Sequence, residues 1–353
     1  MKSYQFGEYG HPLQLMDQET PTPQGDEVLV RIRACGVCHS DIHVWDGHFD
    51  LGNGRELDIS RGRTLPFTLG HEIAGEVVAV GPTTTGVSIG AERVVFPWIG
   101  CDDCPVCDSG NEHLCSRPQA LGTSVDGGFS DHVMVPHARY LFDYADVPSE
   151  LACTYACSGL TAYSALDKVR EHAAGRTLVV IGAGGVGFAG LQIAQALFDT
   201  QLVVVDIDDT KLEAAKEGGA AYVFNTNDEG AAKDAAKEIR DLTDGGSGAV
   251  IDFVGSETSA NFGLKVLGNS GVLIVVGLFG GALAVPLPLL ALKHITIRGS
   301  FLGSLGQMGE LMQLVRAGKV TPIPVEARPL AQAQQTLEDL RGARILGRAV
   351  LVP

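Results

Sequence analysis

The stretch TLVVIGAGGVG, residues 177–187, decides the fold. Its first five residues are apolar or β-branched and predict a strand buried on both faces. Gly182, Gly184 and Gly187 then form G-x-G-x-x-G, and the helical run GVGFAGLQIAQALF follows at once. The first glycine permits a tight turn, the second lets the backbone approach a pyrophosphate, and the third lets helix pack on strand. N–H groups of the opening helical turn, at Gly185, Val186 and Gly187, are placed to face the phosphates. The next strand, QLVVVD, ends at Asp206, where a carboxylate accepts hydrogen bonds from ribose hydroxyls and repels a 2′-phosphate. No arginine follows in Asp206-Ile207-Asp208-Asp209, which favours NAD over NADP. A flavin, or a glycine turn with no ligand, is the rival reading. Strand, helix and acid in this order favour the nicotinamide dinucleotide.

Working outward, YVFN, GAVIDFVG and GVLIVVG alternate with helical stretches near 230–242 and 258–268. Apolar strands between amphipathic helices predict an α/β domain, a doubly wound parallel sheet with helices on both faces. Upstream the texture differs. EVLVRIRACG, HEIAGEVVAVG and ERVVFPW are short β segments between Gly, Pro and Asp turns, so residues 1 to about 150 read as mainly β. After about His294 the strand HITIRGSF, helices near 306–318 and 330–341, and the strand RAVLVP follow. A tail of 58 residues makes a marginal core by itself, and its return to the first domain is expected. The expected organisation is a mainly β domain at 1–154 with a lobe at about 96–117, the dinucleotide domain at 155–295, and the return at 296–353.

At 353 residues, two domains are expected from length alone. The formal net charge of −16 argues against nucleic acid and anionic membrane surfaces as partners. The apolar run 282–292 is interrupted by Pro286 and Pro288 and is too short to span a bilayer. The opening MKSYQFGEYGHPLQL has no apolar stretch of the signal-peptide kind. A cytoplasmic location and reduced cysteines are therefore expected.

Four of the eight cysteines, Cys101, Cys104, Cys107 and Cys115, stand at C-x2-C-x2-C-x7-C. Two residues between ligands let thiolates converge on one ion, and four thiolates close a tetrahedron with no open position. The reading is a structural zinc; two disulfides are the alternative. A second set is dispersed. GVCHSDIH contributes Cys38, His39, Ser40, Asp41 and His43; LGHEIAG contributes His71 and Glu72; ACSGLTAY contributes Cys157. Two thiolates and an imidazole would leave one position open, as catalytic zinc requires. Cys35 and Cys153 read as small buried hydrophobes.

With GVCHSD, GHEIAGEVVAVG, the four-cysteine lobe, CSGLTAY and VIGAGGVG in this order, essentially the whole chain resembles the zinc-dependent alcohol dehydrogenases of the medium-chain dehydrogenase/reductase superfamily. The resemblance implies a GroES-like, mainly β catalytic domain built from both chain ends, with a Rossmann domain between them. It implies a catalytic zinc held by Cys38, His71 and Cys157, with Glu72 beside the metal and Asp41 receiving the N–H of His71. Ser40 and His43 match the family's proton relay. Thr161 matches a residue beside the nicotinamide, and Val276 and Leu278 fall in the same cofactor region. Lys211 matches a lysine near the adenosine ribose, and Arg348 an arginine that pairs with the cofactor phosphates. His39 stands where many members place a phosphate contact. A solvated imidazole is the alternative for His39, and a solvated helix charge for Lys211.

The implied activity is NAD-dependent interconversion of primary or secondary alcohols with aldehydes or ketones, with two zinc ions per subunit, in a homotetramer or homodimer. Trp98, Phe49 and Leu278 can wall an apolar substrate pocket, and core packing accounts for each equally well. Two departures from the family pattern stand out. IGAER, residues 89–93, brings its acid late, and the loop HFDLGNGRELDISRGRT, residues 48–64, is long. Alternatives are a relative acting on a polyol, a hydroxyacyl compound or an aldehyde adduct, and a non-catalytic zinc and dinucleotide sensor. The Ser40/His43 pair and an open metal position argue against a sensor.

Overall fold

The computed structural model describes all 353 residues. They divide into two compact units: 1–48, 58–160 and 302–353 form the first, and 49–57 with 161–301 the second. No helix is long and apolar enough to cross a membrane.

The second unit carries a six-stranded, wholly parallel sheet. Its order is Tyr222–Asn225, Leu202–Asp206, Leu178–Ile181, Ser247–Asp252, Leu267–Val275, Thr296–Gly299. The first three strands in sequence run outward one way and the next three the other, so strand order reverses between Leu178–Ile181 and Ser247–Asp252. Open α/β sheets bind ligands beyond the carboxyl ends of strands at such a point. Val179, Val203, Val250 and Leu273 are buried at the centre with Ile239 and Phe262 from the flanking helices. These are the apolar positions of the sequence pattern. The strand Thr296–Gly299 corrects the expected boundary at 295/296, because it pairs with Leu267–Val275 as the sixth strand of this sheet. It is an edge strand, largely exposed, so it lacks the continuous apolar run that marks the inner strands.

The first unit is mainly β. One sheet runs Leu141–Phe142, Glu92–Val95, Glu72–Val80, Val28–Gly36, Arg348–Val352, Val325–Pro329, with His132–Val135 also paired to Val28–Gly36. The last two strands come from the C-terminal segment, and Arg348–Val352 pairs with Val28–Gly36. Glu72 and Arg348 open the two strands that flank Val28–Gly36, and Cys38 lies two residues past the end of Val28–Gly36. The long loop forms a small hairpin, His48–Asp50 with Glu56–Asp58.

Candidate active site and metal centres

Cys38 precedes the helix His39–Asp46, to which sequence patterning alone had assigned no helix. Asp41 in its first turn accepts a hydrogen bond from the Cys38 amide at 2.8 Å through one oxygen. Its other oxygen accepts from the Gly70 amide at 3.1 Å and lies 3.1 Å from His71 Nδ1. One fully buried carboxylate therefore fixes the backbone beside two of the expected ligands and the ring of one. Cys157 enters from just before the helix Ser158–Asp167.

The donor atoms of Cys38, His71 and Cys157 all lie within 4.8 Å of one another, and all three residues are buried. His71 Nε2 is buried with no hydrogen-bond partner. An unpartnered imidazole nitrogen facing two thiols is costly in a dry interior and is satisfied by a cation. Burial opposes charge on His71, but Asp41 and Cys38 hold its pKa well above the imidazole range. A hydrogen bond from the Cys157 thiol pulls Cys38 well down and holds Cys157 up, so the pair is poised to carry negative charge. The donor set fits zinc, with the fourth position left to a small ligand.

Glu72 is fully buried. Its Oε1 accepts from the Ser158 amide at 3.1 Å, and its Oε2 stands 2.5 Å from Arg348 Nη2. Burial raises the Glu72 pKa against the opposing pull of Arg348. A Cβ at Gly36 would lie 2.0 Å from Glu72 Oε2, so this position tolerates glycine alone. The Arg348 guanidinium is buried and paired with Glu72. Ser40 and His43 are half-buried on the same helix, and His39 is exposed. Burial, then the nearby His39, lowers the His43 pKa, so the imidazole is neutral near pH 7. Trp98 is buried, its indole N–H donates to the Ala156 carbonyl at 3.0 Å, and its ring centroid is 5.0 Å from that of His71. Cys35 and Cys153 are fully buried and belong to neither cluster.

The four-cysteine lobe is the second centre. Sγ atoms of Cys104 and Cys107 are 3.5 Å apart, and those of Cys104 and Cys115 3.9 Å. A tetrahedron with Zn–S bonds near 2.3 Å has edges of about 3.8 Å, which these separations match. The Arg117 amide donates to Cys115 Sγ at 3.3 Å and lowers that thiol's pKa to about 7. Buried Glu112 anchors the lobe: it accepts from the Tyr140 hydroxyl at 2.7 Å and the Gly100 amide at 3.2 Å, and lies 3.4 Å from Arg139. Sequence reasoning missed Glu112 and Tyr140, since nothing local distinguishes them from surface residues.

In the second unit, Gly182 has φ +91°, and a Cβ on Gly187 would lie 1.7 Å from the Gly182 carbonyl oxygen. A Cβ at Gly184 would meet nothing within 4 Å, so the loop is open on that side. The helix Gly185–Leu197 has no side chain capping its N-terminus, leaving its first N–H groups to an anion. Asp206 accepts from the amides of Ala183 at 2.6 Å, Ile207 at 2.7 Å and Asp208 at 3.0 Å. It thus ties the strand end to the glycine loop, a contact the sequence did not announce. These residues fit a dinucleotide. Lys211 Nζ is 3.9 Å from Asp208, Thr161 and Val276 are buried, and Leu278 is exposed. Phe49 is half-buried on the loop hairpin.

Residues 24–146 match the alcohol dehydrogenase GroES-like domain and residues 185–317 the zinc-binding dehydrogenase domain. The NAD-dependent alcohol dehydrogenase of Sulfurisphaera tokodaii is 40% identical, with all of both chains covered. That of Saccharolobus solfataricus is 38% identical, again over the whole of both. This chain belongs to the zinc-dependent alcohol dehydrogenases of the medium-chain superfamily. The solved alcohol dehydrogenase of the archaeon Aeropyrum pernix superposes on this dehydrogenase with a TM-score of 0.88 at 29% identity, covering all of both chains. The fold of the dehydrogenase is accordingly GroES-like plus Rossmann, and zinc and NAD are its family's cofactors.

Proposed function

We propose that this dehydrogenase interconverts small primary or secondary alcohols with aldehydes or ketones, using NAD. The observation that carries the reading is the meeting of Cys38, His71 and Cys157, three buried donors with an unsatisfied imidazole nitrogen among them. Two zinc ions per subunit follow in this reading, one at that site and one in the four-cysteine lobe. When bound, zinc would polarise the substrate oxygen and the nicotinamide would exchange hydride with the carbinol carbon.

The protein's own groups do the rest. Asp41 holds His71 in the tautomer that presents Nε2. The Ser40 hydroxyl accepts the hydrogen bond of the substrate alcohol and, as it takes that proton, releases its own; with cofactor bound, the neutral His43 imidazole would receive it by way of the nicotinamide ribose and pass it towards solvent. Gly182, Gly184, Gly185, Val186 and Gly187 cradle the pyrophosphate; Asp206 and Lys211 hold the adenosine ribose. Thr161, Val276 and Leu278 are assigned to the nicotinamide side, and His39 to a phosphate. Trp98 and Phe49 are assigned to the substrate pocket. For Arg348 the proposed role is to position Glu72 and, through its charge, to favour the cofactor phosphates.

The domains are proposed as 1–154 with 296–353, and 155–295, adjusted so that the 296–299 strand joins the cofactor unit. A homotetramer in the cytoplasm is proposed. Its support is the unpartnered outer edge of Thr296–Gly299 and the helix Leu287–Leu292, which buries no residue and exposes Leu287 by 73% and Leu292 by 82%. NADH absorbance on adding ethanol, 2-propanol, benzyl alcohol and cyclohexanol, with and without a chelator, tests the activity. No turnover on any of them by fully zinc-loaded protein would refute it.

A further inference from the structure

A cavity of about 510 Å³ opens on the second unit at the end of the parallel sheet where the strands begin. Arg176 stands just before the strand Leu178–Ile181, whereas the glycine motif follows that strand's other end. The cavity and the cofactor loop are thus at opposite ends of one strand. Arg176, Arg240 and Lys293 line it together.

Most arginines of this chain are bound to carboxylates, as in Arg31 with Glu76, Arg139 with Asp102 and Arg328 with Asp339. Arg176, Arg240 and Lys293 have no such partner. Arg240 Nη1 donates to the Lys265 carbonyl at 3.4 Å, which anchors the guanidinium and leaves its other N–H groups available. Asp244 is the one acid in the lining, and the helices Glu229–Leu242 and Glu257–Val266 end nearby. One carboxylate and the partial negative charges of two helix ends do not cancel three full cations. The cavity stays positive on a chain of net charge −16. The loop Asp244-Gly245-Gly246 runs at positive φ throughout, and a Cβ on Gly245 would meet nothing within 4 Å.

We propose that this cavity binds a phosphate group, separately from the cofactor. Guanidinium forks match phosphate oxygens in pairs. The volume lies within the range of small-molecule sites, so it has room for an organic body attached to the phosphate. The zinc-replete protein, saturated with NADH to fill the cofactor's own phosphate contacts, is titrated calorimetrically at constant ionic strength. Inorganic phosphate, ribose 5-phosphate and, as control, ribose are the probes. Saturable binding of inorganic phosphate or ribose 5-phosphate, with none of ribose, is expected, and comparing the two phosphates tells a bare anion from a phosphoester. Arg240→Gln should weaken binding roughly tenfold, and Arg176→Gln with Arg240→Gln should abolish saturation, at unchanged melting temperature and NADH affinity. No saturable binding to the wild type, or equal binding to the double variant, overturns the proposal. The readout does not depend on turnover, so it is distinct from any failure of the proposed activity.

Discussion

Replacing Glu72 by Gln removes one charge from an ion pair whose side chains are 0% and 4% exposed, with nitrogen and oxygen 2.5 Å apart. Gln keeps the shape that the neighbouring Gly36 requires and keeps an acceptor for the Ser158 amide. What it loses is compensation of the Arg348 charge, which cannot be shed by deprotonation. Breaking a buried pair on one side costs about 3–5 kcal/mol, and the retained hydrogen bond argues for the lower figure. In a unit of about 200 residues, about 3 kcal/mol corresponds to a melting temperature roughly 6–12 °C lower. Glu72→Gln combined with Arg348→Met should recover part of this loss, because the pair is then removed as a whole. The assay is calorimetric or fluorimetric melting, with zinc content measured on each sample to separate loss of the pair from loss of metal. A Glu72→Gln protein with unchanged zinc that melts within about 1 °C of wild type would refute the reasoning.

Three further outcomes are expected. Cys107→Ser should lower the melting temperature and remove about one equivalent of bound zinc, because a closed site contributes folding energy; unchanged metal content by elemental analysis would count against the lobe. Asp206→Gly should raise the kcat/KM ratio for NADP over NAD by removing the carboxylate that repels a 2′-phosphate, and an unchanged ratio would mean that Asp206 does not face the ribose. His43 favours its neutral form in the folded protein, so its contribution to stability is present above its ordinary pKa of 6.5 and is lost as pH falls from there through its lowered value in the fold. Alcohol oxidation should fall in the same direction, below pH 6.5, and the limb should vanish in His43→Gln; a limb unmoved by that substitution excludes His43 from the relay.

Local signals were legible in the sequence and long-range ones were not. The glycine motif and the four cysteines announce themselves because their geometry is set within about a dozen neighbouring residues. Cys38, His71 and Cys157 are dispersed, and family resemblance, not spacing, picked them out. Asp41 was placed beside His71 by the same route, but its grip on the amides of Cys38 and Gly70 appears only in the folded backbone. The Glu72–Arg348 pair joins residues from segments far apart in the chain, and no pattern in either segment announces it. The strand Thr296–Gly299 was misassigned for a different reason. Edge strands bury little, so their sequence carries less of the apolar signal that marks the rest of the sheet.

The two donor clusters sit on different kinds of scaffold, and this accounts for the different chemistry proposed for them. In the lobe all four cysteines lie within one short loop, Cys101 and Cys104 are partly exposed, and two short helical turns, Pro105–Asp108 and Glu112–Leu114, interrupt it. Such a loop has little core of its own, so an ion closing it contributes order, and all four positions are used to hold chain. Cys38, His71 and Cys157 instead stand at the ends of elements that are already packed: a helix N-terminus, the residue before a nine-residue strand, and the residue before another helix. Asp41, Glu72 and Arg348 bind these ends to one another without any metal. Because the scaffold is organised by hydrogen bonds and a buried ion pair, the metal there is not needed as a fourth strut. In the proposed reading three donors would suffice to hold it, and the remaining position would be free for a reacting oxygen.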